Sequence, residues 1–148
     1  SIQYIKYLYE YNRVEKPQQI VLNFYKKHSK YIHVHVIPPD ELFDNYSITV
    51  YCPTVLKGLL IGRQGKTVKT LEEKLREELG TDVKVKIEGS EGLDEQYKVH
   101  LGLPPEAVKL IAKILPDLKF LKERFGITPK HLADIIEEME KPEDDIDE

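Results

Sequence analysis

Residues 55–80 read VLKGLLIGRQGKTVKTLEEKLREELG: two apolar segments joined by a tetrapeptide that begins and ends in glycine. The segment Pro53–Ile61 predicts a short helix. After Gly62-Arg63-Gln64-Gly65 comes a longer one over 65–79, because Val68, Leu71, Leu75 and Leu79 fall on a single face and Gly80 supplies a stop. Such a corner has a specific chemical use. Glycines at 62 and 65 let a phosphodiester come close to main chain, since neither carries a β-carbon. The following helix points unpaired N–H groups and the positive end of its dipole at the same place. Arg63 and Lys66 add charge without reading sequence. Lys57, Lys69, Lys74 and Arg76 widen the basic rim, and Leu59, Leu60 and Ile61 make an apolar floor for bases.

The flanking segments extend this into a sheet with helical cover. Residues 31–37 (YIHVHVI), 47–52 (SITVYC) and 82–88 (DVKVKIE) alternate and are rich in β-branched residues, so each predicts a strand. In the last, Val83, Val85 and Ile87 point in, and Lys84 and Lys86 point out. Pro38-Pro39 breaks the first strand, and the hairpin-like spacing predicts that 31–37 pairs antiparallel with 47–52. Residues 2–11 have helical spacing. Pro17 suits the first turn of a second helix running to Ser29, with Ile20, Val21, Phe24 and Tyr25 facing inward. Downstream, 88–92 is expected to be a loop and 96–101 a fourth strand. Three further helices are expected, over 104–115, 116–125 and 129–140, the second ended by Gly126 and the third capped by Thr128.

Ile-Gly-Arg-Gln-Gly-Lys-Thr-Val between two helices resembles the loop of KH domains, whose GXXG turn clamps about four nucleotides. A bare GxxG carries no weight. Here it comes with an upstream strand, an apolar helix ending in Gly and an alternating strand. The order helix–strand–strand–motif–strand over 17–88 resembles the type II form of small-subunit ribosomal and Era-like KH domains. Strand–motif–strand–strand–helix over 47–115 is the type I alternative. The motif is also similar to KH modules of PIN–PilT-type archaeal ATPases, which implies that the chain is a piece of a larger machine. The resemblance assigns nucleic-acid binding to Lys57, Ile61, Gly62, Arg63, Gln64, Gly65, Lys66 and Lys69.

Composition sets the outer limits. With 148 residues, 41% hydrophobic and 32% charged, the chain suits one globular domain with helical additions. No apolar run is long enough to span a bilayer and no signal peptide is visible, so no membrane partner is expected. A single cysteine, Cys52, excludes an internal disulfide and fits a reducing, cytoplasmic setting; it reads as a small buried hydrophobe. Net charge is −4, unevenly spread: residues 1–31 hold six Lys/Arg against two acids, and 89–148 hold eight against fifteen. The basic surface therefore belongs to the first two thirds.

No Ser/His/Asp order and no Walker lysine loop is present, so catalysis and cofactors are not expected. His33 and His35 share a strand face but have no acid or cysteine near them in sequence, so no metal is expected. Residues 121–140 resemble a DNA-binding helix–turn–helix. Against that reading, Asp134, Glu137, Glu138 and Glu140 would face phosphates, and a helical hairpin packed on the core or on a partner suits them better.

The resulting expectation is an α+β fold: a KH-type three- or four-stranded sheet with helices on one face, plus a helical C-terminal extension. Its parts are a helical segment at 1–16, the KH domain at 17–88 (alternatively 47–115), the extension at 89–140 and an acidic tail at 141–148. The expected partner is single-stranded RNA, with DNA second. The rivals are a protein-contact module inside a larger ATPase or translation assembly, and duplex DNA binding by the C-terminal helices.

Overall fold

The computed structural model describes residues 1–97 and 102–142. The fold is α+β. The elements in chain order are α1 (Ile2–Glu10), α2 (Lys16–Phe24), β1 (His33–Ile37), β2 (Tyr46–Cys52), α3 (Thr54–Ile61), α4 (Lys66–Leu79), β3 (Val83–Gly89), α5 (Glu91–Tyr97), α6 (Pro105–Phe125) and α7 (Pro129–Glu140). They form two compact units, Ser1–Pro116 and Asp117–Glu148. Among the described residues no helix is long and apolar enough to cross a membrane.

The sheet of the first unit has the order β1-β2-β3, with β1 antiparallel to β2 and β2 parallel to β3. The antiparallel pairing of β1 with β2 is the one the spacing predicts. Register follows the period-2 pattern. Val34, Val50 and Ile87 form one buried row, and Val36, Ile48 and Val85 the next. Against these pack Ile20 and Val21 of α2, Val55, Leu56 and Leu60 of α3, and Leu71 and Leu75 of α4. Each such side chain withdrawn from water stabilises the fold by roughly 1.5–3 kcal/mol before chain entropy is subtracted. Val68, Leu79 and Phe24 are partly buried at the edge of this core, and Cys52 is fully buried within it.

Four expectations are corrected. Pro17 lies in the first turn of α2, as expected, and the first correction is that no break separates α2 from α1. The chain stays helical from α1 into α2 through a π-helical turn at Tyr11–Glu15. A wider turn there accommodates a ring that would otherwise press on the carbonyl four residues back. The second helix also stops at Phe24, where a 3-10 turn over Lys26–Tyr31 takes over. Residues 91–97, expected as loop and the start of a fourth strand, form α5 instead: Ser90 Oγ accepts from Leu93 N–H (3.4 Å), and Glu91 and Asp94 lie in the acidic first turn. The remainder of that expected strand, 98–101, lies outside the described residues. Finally, Pro116 does not begin a new helix but sits inside α6.

The second unit holds the end of α6 and α7. Gly126, at φ 67°, closes α6, its N–H donating to the Lys122 carbonyl (3.0 Å). Thr128 caps α7: its Oγ1 accepts from the His131 N–H, and its own N–H donates to His131 Nδ1 (2.9 Å).

Candidate nucleic-acid interface

The Gly62–Gly65 corner is built by backbone geometry that only particular residues accept. Gly62 has φ 81° and ψ 162°, a region essentially closed to residues with a side chain. A β-carbon there would also overlap the Thr67 hydroxyl and lie 2.8 Å from the Thr67 nitrogen. Gly62 is thus required twice, by its dihedral and by the close approach of the chain to the start of α4. Gly65 (φ 73°) is left-handed as well, yet the space its β-carbon would enter is open. Gln64 lies between them at φ 58°, the one positive-φ residue other than glycine among the described residues. A side chain held there costs about 1–2 kcal/mol. The corner is tied by hydrogen bonds from Gly62 N–H to the Gly58 carbonyl (2.9 Å) and from Gly65 N–H to the Gly62 carbonyl (3.0 Å).

Arg63 and Gln64 are exposed at the tip of this turn. Lys66 and Lys69 are exposed on the first turn of α4, three residues apart and so on neighbouring positions of one face. No side chain caps the N-terminus of α4, where Gly65 stands. Lys57 and Ile61 are half-buried on α3 and line, with Gly62, a groove of about 1080 Å³. The eight residues named from the sequence thus lie on the end of α3, the turn and the first turn of α4.

One member of the wider rim plays another part: Arg76 pairs with Asp82 (2.9 Å) at the far end of α4. Glu72 of the same helix accepts a hydrogen bond from the Val85 N–H (2.9 Å), tying that helix to the edge strand β3. The apolar floor is also smaller than expected. Leu60 is 1% exposed and belongs to the core, its carbonyl accepting from the Tyr25 hydroxyl (2.7 Å). Leu59 and Ile61 are only partly buried. A helix of eight residues has one inward face, and Leu60 shares it with Leu56.

The opposite wall of the groove was not anticipated. It is formed by Glu91, Asp94 and Glu95 of α5 and by Lys109, Ala112 and Lys113 of α6. Asp94 closes the start of α3: one carboxylate oxygen accepts from the Thr54 N–H (2.5 Å) and the other from its hydroxyl (2.7 Å). Helix α6 crosses α3 at Gly58. Pro116 has no N–H to give the carbonyl of Ala112, four residues before it, so that carbonyl is left without its helical donor. Gly58 packs directly onto it, and a β-carbon at 58 would overlap the oxygen and lie 3.1 Å from Pro116 Cδ. The signals were present in the sequence as the Ser90–Asp94 start of α5 and a glycine in the middle of a short apolar helix.

On the second unit, Asp134, Glu137, Glu138 and Glu140 are all exposed along α7. A helix in a DNA groove would bring them against phosphate. Among the described residues no cluster of His, Cys, Asp or Glu is arranged to hold a metal ion.

Residues 47–115 match the family model of the KH domain. No curated protein and no solved structure gives a significant match to the chain.

Proposed function

With a KH domain present over residues 47–115, which supports a general role in binding nucleic acid, we propose that this chain grips a short single strand, RNA before DNA, through the turn Gly62–Gly65. The observation that carries the reading is the exposure of Arg63 and Gln64 between two positive-φ glycines at the uncapped start of α4. The glycines let a phosphate approach main chain, the helix terminus contributes N–H groups and its dipole, and Lys66 and Lys69 add charge. Ile61, Lys57 and the groove beside them take the adjoining nucleotides. The role is binding without catalysis.

We propose further that the working module includes α2 and β1 as well as the matched segment, because β1 is hydrogen-bonded to β2 and α2 supplies Ile20 and Val21 to the shared core. The preference for a single strand follows from the loop's small reach: a GXXG turn clamps about four nucleotides of backbone. About four phosphate contacts at about 0.7 each put the slope of log affinity against log salt near −3. Fluorescence anisotropy of a labelled single-stranded RNA of about eight nucleotides, titrated at several salt concentrations, measures it. A slope steeper than about −6 contradicts the proposal, since it requires a broad cationic surface in place of a local clamp.

A further inference from the structure

Helix α6 brings two lysines to the groove that the turn opens into. Lys109 and Lys113 line it from one side, and Lys57, Ile61 and Gly62 line it from α3. Both lysines are exposed, and among the described residues neither is engaged in an ion pair. Four residues apart, they share one face of α6 and are separated by about 6 Å along its axis, comparable to one nucleotide of extended backbone.

The way α6 is held makes this placement specific. It is pressed onto α3 at the Gly58–Ala112 crossing, one helical turn from Gly62. The crossing exists because α3 has no side chain at 58 and because Pro116 frees the Ala112 carbonyl at the point of contact. Ala112 is buried, and Val108, Ile111 and Leu115 pack against the core. The residues at 109 and 113 therefore project from a helix whose other face is anchored.

We infer that Lys109 and Lys113 form a second phosphate-contacting edge, so that the strand leaving the turn at Gly62 runs along the groove between α3 and α6. This rests on the nucleic-acid reading of the turn and extends the site to a part of the chain that the motif does not contain. The carboxylates in the same groove set the orientation. Asp94 is engaged with Thr54, and Glu88 is paired with Lys86. Glu91 lies on the α5 side. It repels phosphate, so the backbone lies along the lysine side and the bases turn toward α5, where a carboxylate accepts hydrogen bonds from base amino groups.

The test is the salt titration of the same single-stranded RNA against the full chain, its Lys109→Gln/Lys113→Gln variant and a control, Lys119→Gln/Lys122→Gln, drawn from exposed lysines further along α6. Removing two contacts makes the slope shallower by about 1.4, which at 0.1 M salt corresponds to about 25-fold weaker binding. The control keeps the parental slope and loses less than about threefold. Glu91→Gln, which removes a repulsion, binds more tightly than the parent. Unchanged denaturation curves show that the fold is intact in each. If Lys109→Gln/Lys113→Gln keeps the parental slope while charge reversal at Arg63 and Gln64 abolishes binding, this inference fails alone. If neither pair of substitutions matters, the reading of the turn fails with it. Equal losses in the two lysine pairs also overturn the inference, since they reflect only total charge.

Discussion

Gly58→Ala reverses a familiar sign. In the interior of an exposed helix, Gly→Ala stabilises by about 1 kcal/mol, through lost backbone freedom in the unfolded chain. Gly58 is helical, so that gain applies. Its β-carbon, however, would overlap the Ala112 carbonyl oxygen and lie 3.1 Å from both Ala112 C and Pro116 Cδ. Those atoms are main chain and a proline ring, so no rotamer change relieves the contact; α6 has to move off α3. Overpacking of this kind costs about 1–3 kcal/mol, and lifting α6 also loosens the packing of Ile111 and Leu115 on the core. Set against the propensity gain, a net loss of about 1–2 kcal/mol is expected, or roughly 2–8 °C in Tm for a chain of this size. Gly92→Ala is the matched control. It is also helical, and its β-carbon would meet nothing closer than Ser90 Oγ at 3.8 Å, so it should stabilise by about 0.5–1 kcal/mol. Urea titration followed by circular dichroism measures both. Limited proteolysis of Gly58→Ala should show earlier cleavage near the start of α6. If Gly58→Ala matches Gly92→Ala in stability and in its cleavage pattern, the described crossing of α3 by α6 is wrong.

Two further outcomes follow from local chemistry. Asp94→Ala removes both partners of Thr54 and uncaps α3, so urea denaturation should show a loss of about 1–2 kcal/mol, with Thr54→Val losing less because its N–H keeps the carboxylate. Burial pushes the Cys52 thiol up to about 12, Lys57 offsetting part of the rise. Between about pH 9 and that value the folded chain holds a proton that the unfolded chain has released, so stability should fall as pH rises through this window. Alkylation of Cys52 at neutral pH should then follow unfolding, and rapid labelling of the folded chain would contradict this.

Much of this architecture was legible because its signals are local. The three strands declare themselves by alternation, and the turn by two glycines, Gly62 at a position closed to side chains and Gly65 at a left-handed one that favours glycine. The antiparallel partnership of β1 and β2 follows from a short connection broken by Pro38-Pro39. What escaped depended on tertiary context. Pro116 marks a helix start in a local reading, but in the fold it sits inside α6 and leaves a bare carbonyl that Gly58 covers, while a π-helical turn carries α1 into α2 without the break that the sequence suggests. Leu60 is indistinguishable from Leu59 in sequence, and only the packing of α3 decides which of them leaves solvent. Lys109 and Lys113 are separated from the turn by more than forty residues, and nothing local connects them to it. Helix α5 was lost to its Gly and Ser content, although Ser90 followed by acids is a helix start.

The most direct test of the central claim is the affinity of a short single-stranded RNA for the chain and for its Arg63→Asp/Gln64→Asp variant, measured side by side with thermal melts. Both side chains are exposed, and two carboxylates near the start of α4 should be neutral or slightly favourable to that helix. The melting temperature should therefore be unchanged. Binding should weaken by more than about tenfold, or 1.4 kcal/mol, since a lost charge-assisted phosphate contact alone is worth about 1.5–3 kcal/mol and repulsion adds to it. A variant that melts like the parent and binds RNA equally tightly would contradict the claim that the Gly62–Gly65 turn is where nucleic acid docks.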